Sequence, residues 1–132
     1  NCDNDARCVL CRRMMFRISS EIAKKEGCEF LVTGENLGQV ASQTLDNMAV
    51  TNSASQIPIL RPLLCYDKNE IVNIAKKIGT YTASIAAAIC CRAVPTRPLT
   101  RAKLERIEFE EDKFDVKKVV QDALEKAEVL EL

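Results

Sequence analysis

Apolar side chains recur along this chain with two different periods, and the alternation of the two lays out the elements. Over residues 9–26, Leu10, Met14, Phe16, Ile18, Ile22 and Ala23 keep near-helical spacing. Lys24 and Lys25 suit a helix C-terminus, where cations meet the negative end of the helix dipole, and Gly27 stops it. Residues 28–35 (CEFLVTGE) are a short apolar run ending in a glycine turn, which predicts a buried strand. Residues 36–54 return to helical spacing, with Leu37, Val40, Ala41, Thr44, Leu45 and Met48 on one face. A second strand is predicted over 57–64, with Pro58 and Pro62 confining it to a short ladder. Asp67 and Glu70 then form a capping-box pattern, and Ile71, Ile74, Ala75 and Ile78 make the apolar stripe of a helix that Gly79 ends. Residues 80–99, with Pro95 and Pro98, read as irregular. Thr100 is placed to cap a helix over 101–111, and Asp115 to cap a C-terminal helix in 115–132. Val116, Val119, Val120, Ala123, Leu124, Ala127 and Leu130 share one face of that last helix.

Strands that alternate with helices predict βαβ units and a parallel sheet, hence an α/β fold in one domain over 1–132. Two strands make an incomplete sheet with an open edge and poorly covered faces, so partner strands are expected from a missing N-terminal half, in cis or in trans, or from another copy. We therefore expect a homo-oligomer. The chain opens on Asn1 rather than Met and shows no signal peptide, which suggests a piece of a longer protein.

Composition narrows the class. The chain has 132 residues, 47% hydrophobic and 29% charged, with no apolar run near the roughly 18 residues that cross a bilayer. A protein with no membrane association is expected. Nineteen basic residues cancel nineteen acidic ones, so net charge argues for no polyanionic partner. The charges are segregated, however: Arg92, Arg97, Arg101, Lys103 and Arg106 precede Glu108, Glu110, Glu111 and Asp112. Both groups read as solvated surface, with a phosphate-facing patch as the alternative for the basic one.

Seven cysteines and no histidine change the picture more. An odd count without a secretion signal argues for working thiols in the cytoplasm rather than a disulfide framework. Cys8 and Cys11 form a CxxC against Arg12 and Arg13. This is a metal site, a sulfur-handling site, or a pair of small core residues at a helix start. Cys90 and Cys91 lie in the irregular segment, where a reactive thiol would be reachable. In a parallel sheet, ligands sit beyond the carboxyl ends of the strands. TGENLGQVASQT (33–44) and RPLLCYDK (61–68) fall there, either as ligand loops or as plain tight turns.

These stretches, with CVLCRRMM before them and LRPLLCYDKNEIVNIAKKIGTY within, closely resemble the PP-loop domain of the ThiI family, the tRNA 4-thiouridine synthetases. The likeness runs from about Cys8 to Phe114. It implies a partial Rossmann-like, adenine nucleotide α-hydrolase-like fold of three αβα layers. The activity implied is tRNA sulfur transfer, with sulfur transfer to thiamine thiazole beside it. ATP and Mg2+ would adenylate uridine 8 of tRNA, and a cysteine persulfide charged by a cysteine desulfurase or another sulfide donor would displace AMP. The family's nucleotide contacts fall on Arg12, Gly34 and Gln43. Its catalytic cysteine, seven residues before a proline, falls on Cys91, with Cys90 adjacent. Relatives carrying the CxxC associate Cys8, Cys11 and Cys91 with an iron–sulfur cluster. Zinc on Cys2, Cys8, Cys11 and Cys91 is the other metal reading. The family's serine- and glycine-rich pyrophosphate loop and its N-terminal tRNA-binding domains do not occur in this sequence, so the segment corresponds to the C-terminal part of the PP-loop domain. The alternative function is a non-catalytic, cysteine-rich sulfur-carrier or iron–sulfur module.

Overall fold

The computed structural model describes residues 2–86, 91 and 94–130. Its frame is helix α1 (Arg7–Lys25), whose buried stripe is Val9, Leu10, Arg13, Phe16, Ser20 and Ala23. The spacing is helical as expected, but the stripe is rotated: Ile22 is exposed and two polar residues face inward. Gly27, at φ +71°, takes the left-handed conformation that ends α1. Strands β1 (Leu31–Val32) and β2 (Ile59–Leu60) pair in parallel, Leu31 opposite Ile59 and Val32 opposite Leu60. They are much shorter than the predicted runs, and not fully buried. Val32 is 63% exposed and Leu60 48%, the uncovered face anticipated for a two-stranded sheet.

The predicted helix over 36–54 forms only in its second half. After Gly38, at φ +77°, comes a short 3-10 turn (Ala41–Gln43), and then α2 (Leu45–Asn52). Thr44 is extended and caps α2, its hydroxyl accepting from the Asn47 N–H. The first half is drawn out of the helix by contacts with the loop after β2. Leu37 N–H donates to Leu64 O at 3.0 Å. The Asn36 amide donates to Leu63 O at 2.9 Å and also to Tyr66 O.

Helix α3 (Lys68–Lys77) has the predicted capping box: Asp67 accepts from Asn69 N–H and Glu70 N–H, and Glu70 accepts from Asp67 N–H at 2.7 Å. A single turn, α4 (Tyr81–Ser84), stands in the segment expected to be irregular. Helix α5 (Leu104–Glu111) starts three residues later than predicted, and Thr100 does not cap it. Buried Asn47 explains the delay. Its Nδ2 donates to Ala41 O and Leu99 O at 2.7 and 2.6 Å, and its Oδ1 accepts from Ala102 N–H at 2.8 Å. The segment before α5 is thereby stapled to α2 in a non-helical shape. Helix α6 (Val116–Glu125) is capped by Asp115 as predicted, but it stops short of Leu130 because Val129 and Leu130 find nothing to pack on. None of its described residues is fully buried.

One apolar core cluster joins Ala6, Val9, Leu10, Val50, Ala102 and Ile107, and Phe16, Ala23, Met48 and Ala54 are also buried. Beside it lies a buried ionic joint between α1 and α5. Arg13, 2% exposed, forks onto both oxygens of Glu111 at 2.9 and 2.8 Å and donates to Val50 O and Ser53 Oγ. Arg17 also reaches both Glu111 oxygens. The expectation that the acidic stretch is solvated is thus wrong for Glu110 and Glu111, which are buried, Glu111 against Arg13 and Arg17 from α1 and Glu110 against Lys113 and the Asp3 N–H. Among the described residues the structure is mixed α/β, with two parallel strands and far more helix than strand.

Candidate active site

Beyond the carboxyl ends of β1 and β2 lies a cavity of about 290 Å3, lined by Arg12, Met15, Phe16, Thr33, Gly34, Glu35 and Gln43. It therefore brings together Arg12, Gly34 and Gln43, singled out in the sequence, from α1, the loop after β1 and the 3-10 turn. Gln43 was expected on a helix; it belongs to the turn because α2 begins later. Met15 and Phe16 supply apolar wall. A Cβ built on Gly34 would meet no atom within 4 Å, and its backbone lies outside the left-handed region. Glycine here leaves room rather than serving a turn. Gln43 is buried, and its Oε1 has no hydrogen-bond partner within the protein. A buried acceptor without a donor is costly, so this atom is suited to an N–H brought by a ligand.

Glu35, which sequence reasoning missed, organises the cavity. It is 3% exposed, and its two oxygens are divided between Arg12 on one side and Arg61 Nε on the other, the latter at 2.8 Å. Thr33 Oγ donates to the second oxygen at 3.4 Å. The one sequence cue was its position directly after the Thr33–Gly34 strand end, opposite the Arg61 that opens the second loop. A larger groove of about 960 Å3 lies between α1, α5 and α6, but Glu21, Glu108, Asp112 and Asp115 on its walls repel an anion.

Cys8 lies within electrostatic reach of Cys11, Cys91 and Arg12. Cys8 is half-buried, and Cys11 and Cys91 are exposed. Burial pushes the Cys8 thiol up from its ordinary value. The charges of Cys91 and Cys11 push the same way, against Arg12 and Arg7. Cys91, 80 residues along the chain from Cys11, thus sits within electrostatic reach of the CxxC. Cys90 lies outside the described residues, as does Arg92. Among the described residues no group of three or more Cys, Asp or Glu side chains is drawn close enough to hold a metal ion. Cys2, a member of the zinc set, packs against the apolar core. In the basic stretch, Arg106 is engaged with Asp5 at 2.9 Å and with Asp3, so it does not present a free charge to phosphate. Arg97, Arg101 and Lys103 are exposed.

A family model described as thiamine biosynthesis protein (ThiI) matches residues 1–116. The chain belongs to the ThiI family. Among its ThiI relatives, a probable tRNA sulfurtransferase of Methanosarcina mazei is 48% identical over 131 residues, covering 99% of this chain and 32% of the relative. A probable tRNA sulfurtransferase of Acetivibrio thermocellus is 45% identical, covering 98% and 33%. A crystal structure of a 4-thiouridine synthetase–RNA complex with bound ATP superposes with a TM-score of 0.88 at 38% identity, over 94% of this chain and 33% of that one. The chain spans about a third of the length of the curated ThiI relatives it matches. The fold is part of the Rossmann-like PP-loop arrangement. No helix among the described residues is long and apolar enough to cross a membrane.

Proposed function

We propose that this segment supplies the adenine-side wall and the sulfur-bearing thiol of an ATP-dependent tRNA sulfurtransferase that makes 4-thiouridine at position 8. The observation that carries the reading is the meeting of Arg12, Gly34 and Gln43 around one cavity at the strand ends, with Cys8 within electrostatic reach of Cys11, Cys91 and Arg12. ATP fits the residues present. Gly34 leaves space for a flat base, Gln43 Oε1 accepts an N–H from it, and the Arg12 guanidinium meets phosphate charge. The uridine C4 oxygen attacks the α-phosphorus of ATP, and pyrophosphate leaves. The terminal sulfur of a Cys91 persulfide then attacks C4, and AMP departs with the activated oxygen. A second thiol, for which Cys8 is in reach, attacks the Cys91 sulfur, so that the S–S bond to the sulfur on C4 breaks and 4-thiouridine leaves. The resulting disulfide is reopened by a thiol reductant. Arg12 stabilises the charge on the adenylate in the first two steps. Exposure of Cys91 suits a thiol that must be recharged by a cysteine desulfurase or another sulfide donor.

The grip on the outer phosphates and Mg2+ would belong to a pyrophosphate loop outside this sequence. Exposed Phe30, Val32 and Leu60 support completion of the sheet by an N-terminal half or a second copy. We place the complete enzyme in the cytoplasm, with tRNA as its partner and thiamine thiazole sulfur transfer as a second use of the same persulfide. Reconstituted sulfur transfer tests the reading: Cys91→Ser should abolish 4-thiouridine formation with unchanged melting, and full activity would remove Cys91 from its role.

A second reading, a non-catalytic cysteine-rich sulfur or iron–sulfur module, is supported by Cys11 and Cys91 lying within electrostatic reach of Cys8. As they stand, the three thiols do not fit a cluster. Iron and acid-labile sulfide measured after anaerobic purification, together with absence of nucleotide binding, would support it.

A further inference from the structure

We propose that Glu35 is a positioning residue for the nucleotide, holding Arg12 in the direction from which it meets phosphate. The inference rests on the nucleotide reading above. It starts from a chain of fixed groups that ends at Arg12. Arg61 Nη1 donates to Asn52 Oδ1 at 3.1 Å and to Ile59 O at 3.4 Å, which pins its guanidinium at the end of β2. Pinned Arg61 holds one oxygen of Glu35 through Nε at 2.8 Å. Glu35, buried and with Thr33 on the same oxygen, has its other oxygen left for Arg12. Arg12 is the outermost member, its side chain 27% exposed and lining the cavity. Arg61 Nη2 is buried without a partner, a second donor held in reserve at the same end of the sheet. Three elements thus converge on one carboxylate, and two cations against one anion leave one positive charge in excess beside the cavity.

This arrangement separates positioning from charge by sign. If Glu35 only offsets Arg12, making it neutral strengthens the local positive field and tightens binding of an anion. If Glu35 aims Arg12, the same change frees a flexible side chain, and binding weakens as preorganisation is lost. The test compares the wild type with Glu35→Gln, using AMP and adenosine titrations followed by NMR up to millimolar ligand, with thermal melts alongside. Glu35→Gln is expected to bind AMP roughly tenfold more weakly and adenosine equally well, with the loss vanishing in an Arg12→Ala background. Glu35→Asp, which keeps the charge but shortens the reach, is expected to lose AMP affinity too, and it stands in should Glu35→Gln fail to fold. Unchanged or tighter AMP binding in these variants would overturn the proposal. So would equal losses for AMP and adenosine, the mark of a merely structural role. Absence of binding of either ligand to the wild type is a different result: it would take down the nucleotide reading itself and this inference with it.

Discussion

Replacing Glu111 with Gln should be among the most destabilising conservative changes in this chain, and its cost should depend on pH in a defined way. The carboxylate is buried and accepts two hydrogen bonds from Arg13 and two from Arg17. Burial alone would raise its pKa. The hydrogen bonds from Arg13 and Arg17, and then their charges, outweigh it and bring the group from 4.5 down to about 2. That depression, from 4.5 to about 2, is worth about 3 kcal/mol of stability in the ionised state. The sign follows from the direction. The folded pKa lies below the unfolded one, so this stability is fully present above about pH 4.5. It is lost as pH falls toward 2, more than half of it by pH 3. Glutamine keeps the shape but cannot accept from both arginines with two anionic oxygens, so Glu111→Gln should forfeit about 3 kcal/mol at pH 7. Against a total stability of roughly 5–15 kcal/mol, that is a large share. Urea titrations of both proteins from pH 7 to pH 3 should show two curves converging as the wild type loses its advantage. A difference under about 1 kcal/mol at neutral pH, or one that stays constant down to pH 3, would refute the reasoning.

Other changes probe separate links. Asn47→Ala should cost about 2–3 kcal/mol in urea titrations, because it strands buried backbone groups at Ala41, Leu99 and Ala102. Gly34→Ala should melt like the wild type, since its Cβ meets open space at an ordinary φ, yet AMP binding measured by titration should weaken as the methyl enters the cavity. Cys8 should alkylate with iodoacetamide at pH 7 more slowly than a free thiol, because burial raises its pKa; a rate equal to that of a free thiol would refute this.

Local chemistry made part of this fold legible. The Asp67–Glu70 box, the Asp115 cap and the Gly27 stop each depend on residues within four positions of one another, and the structure contains all three. What the sequence hid depends on distant partners. Residues 36–44 carry helical spacing, but the amide of Asn36 is taken up by carbonyls of the loop after β2. Thr100 resembles a cap, but Asn47 claims the backbone around it from 55 residues away. Glu111 resembles a solvated charge because Arg13 is 98 residues distant in sequence. The candidate site divides in the same way. Arg12, Gly34 and Gln43 were marked by resemblance to ThiI, and the cavity joins them. Glu35 and Arg61 acquire meaning only when β1 and β2 lie side by side.

The stitching of the two loops that follow β1 and β2 bears on how this site can change over time. Asn36 and Leu37 grip the backbone of Leu63, Leu64 and Tyr66, so neither loop is free to drift on its own. An insertion or deletion in one would pull three hydrogen bonds out of register unless the other changed length with it. Variation at this end of the sheet should therefore arise in matched pairs, with the loop lengths inherited together while the exposed ends of the chain vary independently.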